Sequence, residues 1–418
     1  MNNHSTYAMD DPNVPVAYAT PVTTNFPGLP VSPSSPLSSS STTTTTTEPR
    51  FLEKGRSQRV VVPHHPSIKQ LSVDEQHMLT NQGFSYGLIQ AMYKNNLNFP
   101  LRIWVIDNSG SMAMGDGHRI VETKTKNVVQ LVGCSRWTEL VETVHYHCQM
   151  AALMESPTVF RLLNDPGPGA GPQQFSIGEH GPERIPHELQ LAQQTMKNVT
   201  PSGVTPLAQH VLEIRANILQ MQQELVSTGR KVVLVLATDG LPTDIMGYSG
   251  PAATTEFERT LRSLEGLPIW IVIRLCTDED AVVDYYNNLD AQLELSLEVL
   301  DDFVGEAKEV YQQNPWLNYA LPLHRMREMG FSHRLLDLLD ERRLTKDELR
   351  EFMVLLFGQE NLDGLPDPQV DWHGFLEVIN VISHQEAKQW NPITKRLQSW
   401  VDMKKLKHSY DTGGCIVM

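Results

Sequence analysis

Five oxygen-bearing side chains stand in three short clusters: Asp107-x-Ser109-x-Ser111, Thr205 ahead of Pro206, and Asp239 ahead of Gly240. Carboxylate and hydroxyl oxygens are hard donors, and a set built from them suits magnesium or manganese rather than zinc or copper. Taken one at a time, each has a plainer use. An Asp at a strand end with Ser behind it caps a following helix, Thr before Pro starts one, and Asp-Gly makes a turn. Taken together, two carboxylates and three hydroxyls make a poor core and a good cage for a divalent ion. The chain must then fold so that all five meet.

The elements that could bring them together are legible as apolar runs. Leu101–Ile106, Lys231–Thr238 and Pro268–Cys276 are short, strongly apolar and bounded by turn residues, the pattern of strands buried on both faces. Asp107 and Asp239 follow the first two directly. Adjacent parallel strands would set their ends ~5 Å apart, and open α/β sheets place their sites at carboxyl ends. Further strands are expected at Thr158–Leu163, Gln174–Ile177 and Leu293–Leu300, with a small hairpin within His118–Cys134. Helices are expected over 72–95, 137–154, 187–197, 254–264, 278–289 and 303–312, with one opening at Thr205-Pro206 and running to about Val226. Ser72 and Glu75 have the spacing of a capping box. Strands alternating with helices give an α/β fold, a doubly wound, mostly parallel sheet flanked by helices.

The combination Asp107, Ser109, Ser111, Thr205 and Asp239, with Ala237-Thr238-Asp239-Gly240-Leu241-Pro242-Thr243-Asp244, resembles the metal-ion-dependent adhesion site of von Willebrand factor type A domains. The resemblance covers roughly residues 99–313. It implies that Ser109 and Ser111 ligate Mg2+ or Mn2+ directly, that Thr205 does so directly or through water, and that Asp107 and Asp239 hold coordinated waters or the ion. It also implies an open position for an Asp or Glu of a protein partner. A magnesium ion with two protein carboxylates stays electrophilic enough to take a third. The family runs from Ser-x-Ser straight into a helix, whereas here about twenty-five residues intervene before Trp137. That insertion is expected to shape or cover the rim of the site.

The rest of the chain divides around this unit. Residues 1–68 are rich in Pro, Ser and Thr, a composition that stays disordered; Ser32 and Ser35 lie in Ser-Pro pairs. Residues 69–98 form a helical lead-in, 314–403 a small all-α module with helices near 323–329, 333–342, 347–357, 372–382 and 388–405, and 404–418 a basic tail. The ending Cys415-Ile416-Val417-Met418 looks like a prenylation box, with Met last favouring farnesyl. One isoprenoid anchors marginally, and Lys404, Lys405 and Lys407 are the candidate second signal. The net charge of -15 excludes nucleic-acid binding by phosphate neutralisation. Four scattered cysteines and the lack of a signal-peptide core point to a reduced, intracellular chain on the cytoplasmic face of a membrane.

The function expected is therefore metal-dependent protein binding rather than catalysis. A hydrolase using the same ion would need a general base; His118 and Asp244 are the candidates, but no nucleophile or phosphate cradle accompanies them. A ubiquitin adaptor is a third reading, because Arg327-Glu328-Met329-Gly330-Phe331 is similar to a ubiquitin-associated domain.

Overall fold

The computed structural model describes residues 71–122, 129–277 and 279–411. The tail at 1–68 and the box at Cys415 lie outside them. Among the described residues the order is α1 (Val73–Asn81), α2 (Tyr86–Asn98), β1 (Leu101–Ile106), β2 (Gly117–Glu122), β3 (Val129–Cys134), α3 (Arg136–Leu153), β4 (Thr158–Leu162), β5 (Gln174–Ile177), α4 (Ile185–Asn198), α5 (Leu207–Ser227) and β6 (Val232–Thr238). Then come α6 (Pro251–Arg262), β7 (Ile269–Leu275), α7 (Asp280–Gln292), β8 (Leu297–Leu300) and α8 (Phe303–Gln313). The C-terminal region holds α9 (Leu321–Glu328), α10 (Arg334–Glu341), α11 (Lys346–Phe357), α12 (Trp372–Gln385), the hairpin β9 (Gln389–Asn391) and β10 (Arg396–Gln398), and α13 (Met403–Asp411).

The main sheet runs β5-β4-β1-β6-β7-β8, parallel except for the edge strand β5. From β1 the chain first builds outward to β4 and β5, then crosses back to β6 and continues to β7 and β8. The strand order therefore reverses beside β1, the switch point where α/β sheets open a crevice. β1 and β6 are buried along their whole length, as a sheet covered on both faces requires. One face packs Val105, Leu234 and Ile273 on α5, α6 and α7; the other packs Trp104, Val235 and Val272 on α3 and α4. Each such side chain contributes roughly 1.5–3 kcal/mol of burial.

A second core joins the helices before β1 to the C-terminal region. Leu88 and Met92 of α2, Met150 of α3, and Met326, Phe352 and Phe375 of the C-terminal region lie in one apolar cluster. Gly330 marks its contact with the sheet. It sits at φ +77°, and a Cβ there would come within 2.3 Å of Val233 Cγ1. Its neighbours Met329 and Phe331 are each 6 % exposed, and Met329 O accepts a bond from Arg102 of β1. The Met-Gly-Phe loop is thus internal packing.

Three sequence expectations need correction. The helix over 72–95 is two helices, because Gly83 takes φ +95° between them; the Ser72–Glu75 capping box is present on the first. Residues 388–405 are not one helix. Pro392 interrupts, Asn391 accepts bonds from Ile393 N and Thr394 N, Lys395 takes positive φ, and the result is the β9–β10 hairpin followed by α13. Thr205 does not cap α5 through its side chain: the helix starts at Leu207 with Pro206 at the cap and no side-chain capping bond.

Candidate metal centre

Asp107 and Asp239 emerge from neighbouring strands. β1 and β6 pair in register up to Ile106 and Ala237, and Asp107 N donates to Ala237 O at 2.9 Å. Both carboxylates are buried, Asp107 at 0 % and Asp239 at 2 % exposure. The Asp107 oxygens accept from Ser109 N at 2.8 Å and from the Thr238 hydroxyl at 2.7 Å. Ser109 Oγ and Ser111 Oγ lie 3.0 Å apart, and Ser111 Oγ donates to Asp239 Oδ1 at 2.8 Å. Four of the five expected donors are thus linked by short bonds at the switch point.

Thr205 reaches the same place through its backbone. Thr205 N donates to Thr243 Oγ1 at 3.0 Å, and Thr243 N donates back to Thr205 O at 2.9 Å. On the other flank Ser202 N donates to Asn108 O at 2.7 Å and Gly110 N to Gly203 O at 3.4 Å. The Thr205 loop therefore lies across the Asp107 loop, and Thr205 is buried. Its hydroxyl takes part in none of the bonds that link the other four. Gly203 makes this approach feasible: it sits at φ +97°, and a Cβ would come within 2.4 Å of Asn164 Oδ1.

The sequence did not single out the residues that hold these loops together. Asn164, at the end of β4, accepts from Val204 N and donates to Val204 O, while its backbone N donates to Asn108 Oδ1. Its signal was available: a polar side chain just past the strand next to β1. Arg136 was also missed. It sits on the first turn of α3 behind the capping Ser135, and its guanidinium donates to Asp239 Oδ2 at 3.1 Å. A cation on a helix's first turn opposes the helix dipole, which was the clue.

Burial, and then the charge of Asp239, push the Asp107 carboxyl up to about 6, against the hydrogen bonds from Thr238 and Ser109. Burial also raises Asp239, while Ser111 and Arg136 pull it back. Two carboxylates that both resist ionisation beside each other are short of positive charge. With every side chain of the five-residue set offering an oxygen, the set fits a hard divalent ion.

Neither base proposed for hydrolysis belongs to this group. Asp244 Oδ1 accepts from Met246 N and Tyr248 N, closing a turn. His118 lies on β2 and lines a separate cavity of about 60 Å3 with Arg274, His324 and Glu328. Counting His, Cys, Asp and Glu alone, the described residues hold one acidic cluster, Glu306, Glu309 and Asp340. Arg327 bonds Glu306 and Asp340 and supplies its positive charge. Among the described residues no helix is long and apolar enough to cross a membrane. No protein-family model matches the chain, and a search of curated proteins finds none that matches it.

Proposed function

We propose that this chain is a divalent-metal-dependent protein-binding module of the von Willebrand factor type A kind, not an enzyme. Asp107, Ser109, Ser111, Thr205 and Asp239 would hold Mg2+ or Mn2+. A bound ion supplies a Lewis-acidic position for an Asp or Glu carboxylate of a partner. The observation that carries the reading is the row Ser109–Ser111–Asp239, hydroxyl to hydroxyl to carboxylate, at the ends of two adjacent parallel strands. In this reading the chain's own part is to bring oxygens from three loops to one point. Asn108 and Asn164 hold two of those loops, and Thr243 the third.

The chain acts, in this proposal, at the cytoplasmic face of a membrane, through farnesylated Cys415 and the lysines before it. Lys404 and Lys407 are exposed on α13, whereas Lys405 lies over the Tyr311 ring at 4.7 Å. The two exposed lysines each supply about 1 kcal/mol near an anionic leaflet. Vesicle pelleting of the farnesylated chain tests this: Lys404→Ser with Lys407→Ser should weaken binding to anionic vesicles and leave neutral ones unaffected.

The metal reading is tested by partner capture from cell extract in magnesium and in EDTA. Capture is expected only in magnesium, and only when Asp107 and Asp239 are intact. Partners held equally well in EDTA would sink the reading.

A further inference from the structure

The helix that follows the insertion, α3, opens on an arginine, and that arginine lies against the candidate metal centre. Arg136 is 1 % exposed. Its Nε and Nη2 make a two-pronged contact with Asp116 at 2.7 and 2.6 Å; Nη2 also reaches Glu279 at 3.0 Å and Nη1 reaches Asp239 at 3.1 Å. Asp116 stands just before β2, so the start of the β2–β3 hairpin supplies the fork's partner and the residues after its end supply the fork. Gly117 allows the closure: a Cβ there would come within 2.8 Å of Ser135 O.

This contact divides the oxygens of Asp239. Oδ1 faces Ser111 and Oδ2 faces Arg136. Asp107 has both oxygens engaged as well, by Ser109 N and Thr238. The two carboxylates would present two negative charges to an ion, and a permanent guanidinium charge one carboxylate away offsets one of them. A divalent ion entering between them meets that charge in a buried setting, where it is weakly screened.

We propose that Arg136 is the built-in counter-cation of this centre and sets its affinity for divalent ions low. The proposal rests on the metal-binding reading above. The hairpin's role is then to deliver a competing charge, and Asp116 and Glu279, with side chains 44 % and 54 % exposed, tune it from the rim.

The test is calorimetric titration of Mn2+ into the full chain. Arg136→Gln should bind Mn2+ about tenfold or more tightly than the natural chain, from the removed charge repulsion. Arg136→Lys should stay near the natural value, and Asp116→Asn should bind more weakly. A residue that only shapes the site would weaken binding in both neutral variants, so the opposite signs are the signature. If Arg136→Gln melts normally yet binds Mn2+ no more tightly, the proposal is overturned while the metal reading stands. If Arg136→Gln does not fold, Asp116→Asn and the charge-keeping Asp116→Glu decide together: weaker binding in the first with near-natural binding in the second supports the proposal, and equal loss in both, or no loss in either, overturns it. If neither the natural chain nor Arg136→Gln binds Mn2+, and Asp239→Ala changes nothing, the metal reading falls and the proposal with it.

Discussion

α3 carries two buried charge clusters that are settled in opposite ways. At its start, Arg136 is the one buried cation against the adjoining carboxylates Asp107 and Asp239, which it touches only at Asp239. Along its length, Glu139 and His147 join a cluster centred on Glu328 of α9. There one carboxylate meets Arg325 at 2.7 Å, His147 at 3.1 Å, Arg274 at 3.4 Å and His324 at 3.6 Å. Burial alone would raise the Glu328 carboxyl, but Arg325 and the hydrogen bonds of His147 and His324 hold it well below the usual range. The same burial wins at Asp107, where the nearest charge is another carboxylate. The Glu328 cluster is satisfied within the chain and ties the C-terminal region to the sheet. The Asp107–Asp239 cluster is left short of positive charge, as a centre for an outside cation would have to be.

Breaking the Glu328 cluster should have the largest effect. Glu328→Ala leaves Arg274 and Arg325 without their shared carboxylate in the interior, and loss of one partner from a buried pair costs about 3–5 kcal/mol. Denaturant unfolding should register this loss in magnesium and EDTA alike. Asp107→Asn should do the reverse in EDTA at pH 7, raising stability by about 1–2 kcal/mol, because it removes a buried charge whose protonation the fold favours. The same substitution should abolish Mn2+ binding by calorimetry. A stability gain without loss of Mn2+ binding would separate Asp107 from the ion.

The two clusters should also answer pH with opposite slopes. The folded carboxyl of Asp107 is raised to about 6, so its contribution to stability is fully present near pH 4 and is lost as pH rises through 6. The stability gap between Asp107→Asn and the natural chain in EDTA should therefore shrink as pH falls from 7 to 5, and Mn2+ affinity should fall over the same range. His147 is lowered to about 4 by burial, against the pull of Glu328. Its contribution is present above its ordinary range and is lost as pH falls from about 6.5 towards 4. His147→Gln should flatten that part of the pH–stability curve. The smallest effect is expected at Asp244, outside both clusters. Asp244→Ala should cost about 1 kcal/mol for the turn bonds it accepts and change Mn2+ affinity by less than about twofold.

The sheet could be read from the sequence because its signal is local. β1, β6 and β7 are apolar runs whose length and turn residues specify buried strands without reference to anything distant. Asp107 and Asp239 were legible for the same reason, as each is the first carboxylate after such a run. The C-terminal region was less so. Met329-Gly330-Phe331 reads as a loop with two large apolar side chains, and only the approach of Val233 across the sheet shows that both point inward.

What the sequence by itself determined is the chemistry on offer: two buried parallel strands with a carboxylate after each, two serines and a threonine. What the tertiary structure alone decided is the charge around them. Arg136 meets Asp239 across 103 residues, and Asn164 holds Val204 across 40. Such contacts are fixed by strand order and loop closure, and neither leaves a period or a spacing in the chain, because the residues that satisfy a buried charge are chosen by proximity in space.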